Sequence, residues 1–201
     1  KVFGVSVAEI RKIAKGIGRD HALALALWDT GWYEAKMLAC FIADPQAMTP
    51  GDMDRWTKDF DNWAICDTAC FHLFDRSPHA WRKVDQWARR KGEFVRRAGF
   101  ALLASLALHD KKGSDVNYRR RLGLIEEFAA DDRNFVKKAV SWALHGIGCR
   151  SADLHEAALT LGRKLSASED PAERWVGRDA VRKLDSAPTW KRLMRATRSS
   201  P

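Results

Sequence analysis

Apolar residues recur along this chain at the spacing of a helix face. Ile10, Ile13, Ala14 and Ile17 share one side of a helical period. Ser6 and Glu9 before them form a capping box, the hydroxyl taking a free N–H of the first turn and the carboxylate reaching back. Gly16 and Gly18 close that run. Asp20 opens a second helix through Leu23, Leu25, Leu27 and Trp28, and Thr30-Gly31 breaks it. A third passes through Trp32, Met37, Leu38 and Phe41 to Asp44-Pro45. Thr49-Pro50 predicts an N-cap with proline at the first helical position, where its missing N–H costs nothing. Ser77-Pro78 predicts the same device ahead of Trp81, Val84 and Trp87. Asp61 or Asn62 caps a helix that reaches about Phe74, and later helices are expected to start near Glu93, Asp115, Asp132, Ser151, Ser168 and Ser186. No stretch alternates with period two over strand length. The pattern is all-α.

The helices repeat. Phe94-Val95-Arg96-Arg97-Ala98-Gly99-Phe100-Ala101-Leu102 matches Phe135-Val136-Lys137-Lys138-Ala139-Val140-Ser141-Trp142-Ala143 at an offset of 41 residues, and a second step of 41 reaches Val176-Gly177-Arg178-Asp179-Ala180-Val181. Backward steps of 34 and 29 place Ala64 and Ala35 with the repeated alanine. A small residue at one point of every second helix is what close stacking needs, and the period lies in the range of HEAT and armadillo helical pairs. The reading is an α-solenoid, a superhelix of HEAT-like helical-pair repeats; a helical bundle with coincidental similarity is the alternative.

Aligned on the alanine, the preceding residue reads Glu34, Trp63, Arg97, Lys138, Asp179, and the residue three after it reads Leu38, Asp67, Ala101, Trp142, Lys183. The two positions are four apart and face one side of their helix. They would form an exposed concave patch with two indoles, one carboxylate and several cations. Arg96, Lys137, Lys183, Arg119, Arg120 and Arg121 are expected to flank it.

Charge sharpens that picture. The net charge of +9 favours polyanionic partners, nucleic acid first among them. The cysteines (Cys40, Cys66, Cys70 and Cys149) have no zinc-type spacing and suit a reducing cytosol. No apolar run is long enough for a membrane span, and the start, Lys1 rather than Met, has no signal-peptide pattern. The six histidines fall on neither row and are expected to carry no catalytic or metal role.

Cations on such a patch can hold phosphates. Indole faces attract positive charge, and a fixed carboxylate stabilises a cationic sugar as an N-glycosidic bond breaks. A cationic alkylated base needs no acid to protonate it. Plainer readings stand beside this one: Asp67 as the ion-pair partner of Arg97, and Trp63 and Trp142 as packing residues. A non-catalytic DNA binder and a protein-binding scaffold are also compatible with the rows.

Trp63 and Asp67 four apart, Arg97 in Phe94-Val95-Arg96-Arg97-Ala98, and Trp142 in Lys138-Ala139-Val140-Ser141-Trp142 together resemble the DNA alkylation repair glycosylases built from HEAT-like repeats, the AlkD-like family. The similarity runs from about Phe3 to about Ala180. It implies a right-handed solenoid over 1–201, and excision of N3- and N7-alkylated purines from duplex DNA without moving the base into a pocket. It also implies no metal or cofactor, a monomer, and a cytoplasmic, nucleoid-associated place in base excision repair. Asp67, Trp63 and Trp142 would be catalytic, with Arg97, Lys138, Arg96, Lys137 and Lys183 on the DNA. Two departures stand out: Ala64 replaces a frequent second aspartate, and the chain begins where the family's second repeat does, so the family's N-terminal helical pair is expected either to be lacking or to lie ahead of Lys1.

Overall fold

Helices begin here where short polar side chains can take up free backbone N–H groups. In the computed structural model, which describes residues 1–186, Ser6 and Glu9 form the capping box of α1 (Val7–Ile17). Asp20 caps α2 (His21–Asp29), and Gly31, at φ 73°, turns the chain into α3 (Tyr33–Ile42). Thr49 caps α4 (Pro50–Lys58) and Asn62 caps α5 (Trp63–His72). A 3-10 turn (Phe74–Arg76) leads to α6 (Ala80–Ala88), followed by α7 (Glu93–His109) and α8 (Asp115–Phe128). Next come α9 (Asn134–Gly148), α10 (Ala152–Ser166, capped by Ser151) and α11 (Pro171–Leu184, capped by Asp170). Among the described residues there is no strand.

Two expected starts moved. Ser77-Pro78 does not cap α6: the Ser77 hydroxyl accepts from the His79 N–H within a turn and donates to the Met53 sulfur, so the helix begins two residues further on. Asp170-Pro171, not Ser168, opens α11, because the Asp170 carboxylate accepts from both Ala172 and Glu173. The helix expected near Ser186 lies outside the described residues.

α2 pairs with α3, α6 with α7, α8 with α9 and α10 with α11, while α4 leans on α7 rather than on α5. The second members, α3, α5, α7, α9 and α11, pack on one another in sequence, whereas the first members touch only lightly. One layer is therefore tight and the other splayed, which makes the second-helix side concave. Ala98, Ala139 and Ala180 are fully buried, as the repeat requires, while Ala35 and Ala64 are only half-buried. Gly99 and Gly177 let paired helices cross closely: a Cβ on Gly99 would stand 2.5 Å from the Ala88 nitrogen, and one on Gly177 2.4 Å from that of Ser166. The core is apolar along the whole stack, and Trp28 on Trp56 (centroids 3.9 Å apart) joins α2 to α4.

Candidate nucleic-acid interface

The Asn62 cap starts α5 at Trp63, so the indole sits in the first turn and stays 54% exposed. Asp67 follows one turn later on the same face. Its partner is Arg97 of α7. Arg97 Nε donates to Asp67 Oδ1 at 2.9 Å and Nη2 donates to Oδ2 at 2.6 Å, a two-point grip, while Nη1 donates to the Phe135 carbonyl at 2.7 Å. The arginine side chain is 8% exposed and the aspartate 21%, so the carboxylate is the open side of the pair. Burial raises the Asp67 carboxyl above its ordinary value, with the hydrogen bonds and charge of Arg97 opposing. Arg97 occupies two of a carboxylate's roughly four lone-pair directions, which leaves the others for water or a cation.

Trp142 lies further along. It stacks on Phe71, four residues past Asp67, with centroids 5.6 Å apart and planes at 19°. Phe71 belongs to α5 and Trp142 to α9, so the two rings meet across α7, which both helices flank. The residue of α7 between Arg97 and Ser105 on that face is the fully buried Ala101, small enough to lie under such a bridge. Phe71 could have been found from its spacing, since it extends the Trp63, Asp67 stripe by one more turn.

The cations expected around this patch divide. Lys138 is exposed on α9. Lys183 binds Asp179 at 2.6 Å, and Lys137 lies over the Trp175 ring at 5.4 Å. Arg96 does not face the groove. It donates to the Ala88 carbonyl, pairs with Asp131 at 2.6 Å and covers the Phe128 ring, tying α6 and α7 to the α8–α9 turn. Burial works against the charge on Asp131, but hydrogen bonds from Arg133 and Arg96 prevail and hold its carboxyl at about 2. Arg119 and Arg121 are in α8, on the splayed layer, where they pair with Asp153 and Asp85, so the expected flanking trio stands apart from the concave face. Glu34 is buried rather than on the patch, its Oε1 accepting from the N–H groups of Phe3, Gly4 and Val5.

All four cysteines are buried and none forms a disulfide, and burial pushes the Cys40 and Cys70 thiols well up, which keeps them unreactive. Among the described residues no cluster of metal-ligating side chains is arranged to hold an ion, and no helix is long and apolar enough to cross a membrane.

A stack of helical pairs, concave on one side, with an exposed indole beside a partly open carboxylate on that face, defines a helical-repeat protein of the HEAT-like kind. A profile described as DNA alkylation repair enzyme matches residues 1–184, and the chain belongs to that family. A solved structure matches with a TM-score of 0.74 and 25% sequence identity, over 90% of this chain and 82% of that one. That protein is described as one of a new family related to the HEAT-like repeat DNA glycosylases with affinity for branched DNA structures. No curated protein matches the chain.

Proposed function

We propose that the protein is an alkylpurine DNA glycosylase acting on duplex DNA, with Asp67 as its central residue. The observation that carries this reading is the exposed Trp63 one turn from a partly desolvated carboxylate that opens on the same face. An N3- or N7-alkylated purine carries a positive charge. When the N-glycosidic bond breaks, its electron pair leaves with the base, the base becomes neutral and the charge passes to the sugar. Asp67 would stabilise that cation and orient the water that adds to it, the water's proton passing to the carboxylate or to solvent. Trp63 would supply a ring face to the cationic base, and Lys138 a backbone contact. Arg97, buried and pinned to Phe135, would position Asp67 rather than touch DNA.

A second reading is a non-catalytic binder of damaged or branched DNA. It is favoured by the neutralisation of Asp67 by Arg97, by Ala64 in place of a second acid, and by the affinity described for the structural relative. Release of 7-methylguanine and 3-methyladenine from methylated duplex separates the two. The glycosylase reading expects release by the unaltered protein and a loss of roughly 10²- to 10³-fold in Asp67→Asn, with DNA affinity retained. No release at any enzyme concentration, alongside tight binding to a four-way junction, would leave only the second.

A further inference from the structure

A second carboxylate, paired with an imidazole, closes the other end of the α5–α7 joint. Asp75, in the 3-10 turn after α5, has a side chain 0% exposed, and its Oδ2 accepts from the Ser105 hydroxyl at 2.7 Å and lies 2.5 Å from His109 Nδ1. Asp75 Oδ1 has no partner. A buried carboxylate is costly without a donor or cation against it, and His109 meets that need. The imidazole is 34% exposed, and its plane is fixed edge-on to Phe71 (centroids 4.6 Å apart, 73° between planes). With Nδ1–H donating to Asp75, Nε2 is the ring atom left for a ligand. In the protonated ring it is a charged donor.

The surroundings are cationic. His109 ends the α7 stripe that holds Arg97, Ala101 and Ser105, twelve residues and so roughly 18 Å from Arg97. Next to it on α5 is His72, whose Nε2 is 3.2 Å from Arg11 Nη2. The Arg11 guanidinium lies over Phe41 at 5.4 Å, and Arg76 donates to the His72 carbonyl at 3.1 Å. Arg11 and Arg76 are exposed, while the one carboxylate among them, Asp75, is sealed inside. The groups facing His109 are thus Asp75 from the 3-10 turn, His72 and Phe71 from α5, and Ser105 on its own helix. An oriented imidazole in this rim fits a phosphodiester anion.

We propose that the Asp75–His109 pair is a second DNA-backbone contact, at which the protonated His109 donates Nε2–H to a phosphate oxygen and proton uptake is coupled to DNA binding. This rests on the concave face being the DNA-binding face, but not on catalysis at Asp67. The test is the affinity of the full chain for a fluorescent unmodified duplex, titrated between 50 and 200 mM salt (roughly the range in which counterion release is read) at about pH 6 and pH 8. At the lower pH, His109→Gln is expected to weaken binding about threefold to tenfold and to reduce the salt slope by about 0.9. At the higher pH it should converge on the unaltered protein. His109→Arg, a cation at both values, should bind alike at both. Unfolding midpoints of each variant separate loss of contact from loss of fold. If His109→Gln matches the unaltered protein in affinity and slope at the lower pH, or His109→Arg binds no better than His109→Gln at the higher, the contact is overturned while DNA binding stands. If the unaltered protein binds no duplex, this contact falls together with the glycosylase reading.

Discussion

The two carboxylate pairs of the α5–α7 joint, one with a guanidinium and one with an imidazole, are built in opposite senses. At Asp67–Arg97 the cation is buried and the carboxylate is the more open member; at Asp75–His109 the carboxylate is sealed and the imidazole is open. Each pair relieves the cost of a buried charge, and each leaves one pole toward the concave side. The upper one offers an anion, suited to a cationic base or sugar, and the lower one offers a donor, suited to a phosphate. The Phe71–Trp142 stack lies between them, reaching across α7. The lesson is that an ion pair's function follows from which member is exposed, which the residue types alone do not give.

The largest way to break this comparison is Arg97→Ala. It leaves Asp67 without its buried partner and is expected to cost about 3–5 kcal/mol in urea unfolding. Asp67→Asn should cost less because asparagine keeps the side chain's size and an acceptor oxygen for Arg97, whereas Arg97→Ala removes all three of its hydrogen bonds. Equal losses would mean that the charge of Asp67 alone carries the joint. Ala101→Leu tests the aromatic bridge. Side-chain carbons added under Phe71 and Trp142 should overpack the face, cost about 1–3 kcal/mol and alter the near-UV signal of tryptophan; an unchanged spectrum would show that the rings do not rest on Ala101.

The smallest effect is one of pH. Burial, then the charges of Arg11 and Arg76, holds the His72 imidazole below its ordinary 6.5. The unfolded chain therefore takes up a proton first as pH falls, so the protein loses stability below about 6.5 until the folded imidazole titrates too. His72→Asn should flatten the unfolding midpoint between pH 7 and 5. A slope unchanged by that substitution would place the acid sensitivity elsewhere.

Much of the frame was legible because its signals are local. Ser6, Asp20, Thr49, Asn62 and Ser151 cap within three residues of themselves, and Ala98, Ala139 and Ala180 mark the stacking face through one repeated spacing. The Trp63, Asp67 stripe was legible for the same reason. Layer and pairing were not. Arg96 and Arg119 look alike in a charge count, yet their partners, Asp131 and Asp153, lie 35 and 34 residues away. Glu34 shared a row with Trp63, but three backbone N–H groups carry no side-chain signature. His109 falls on neither aligned row, and its partner Asp75 sits in a 3-10 turn, outside the helical period on which the rows are drawn, so the sequence does not single it out.

The ion pairs also set how the stack deforms. Between second helices the ties are buried or half-buried: Arg97 to Asp67, Ser105 to Asp75, Ser141 to Asp179. Between first helices several are solvent-facing and weak, Arg55 to Asp29, Arg119 to Asp153 and Lys164 to Glu126, although the buried Lys83 still ties α6 to Asp54 of α4. Mechanically this is a stiff spine with soft springs along its outer edge. Curvature can then change by stretching the outer edge while the spine acts as the neutral line. Salt, which weakens those springs first, becomes a control on the radius of the groove.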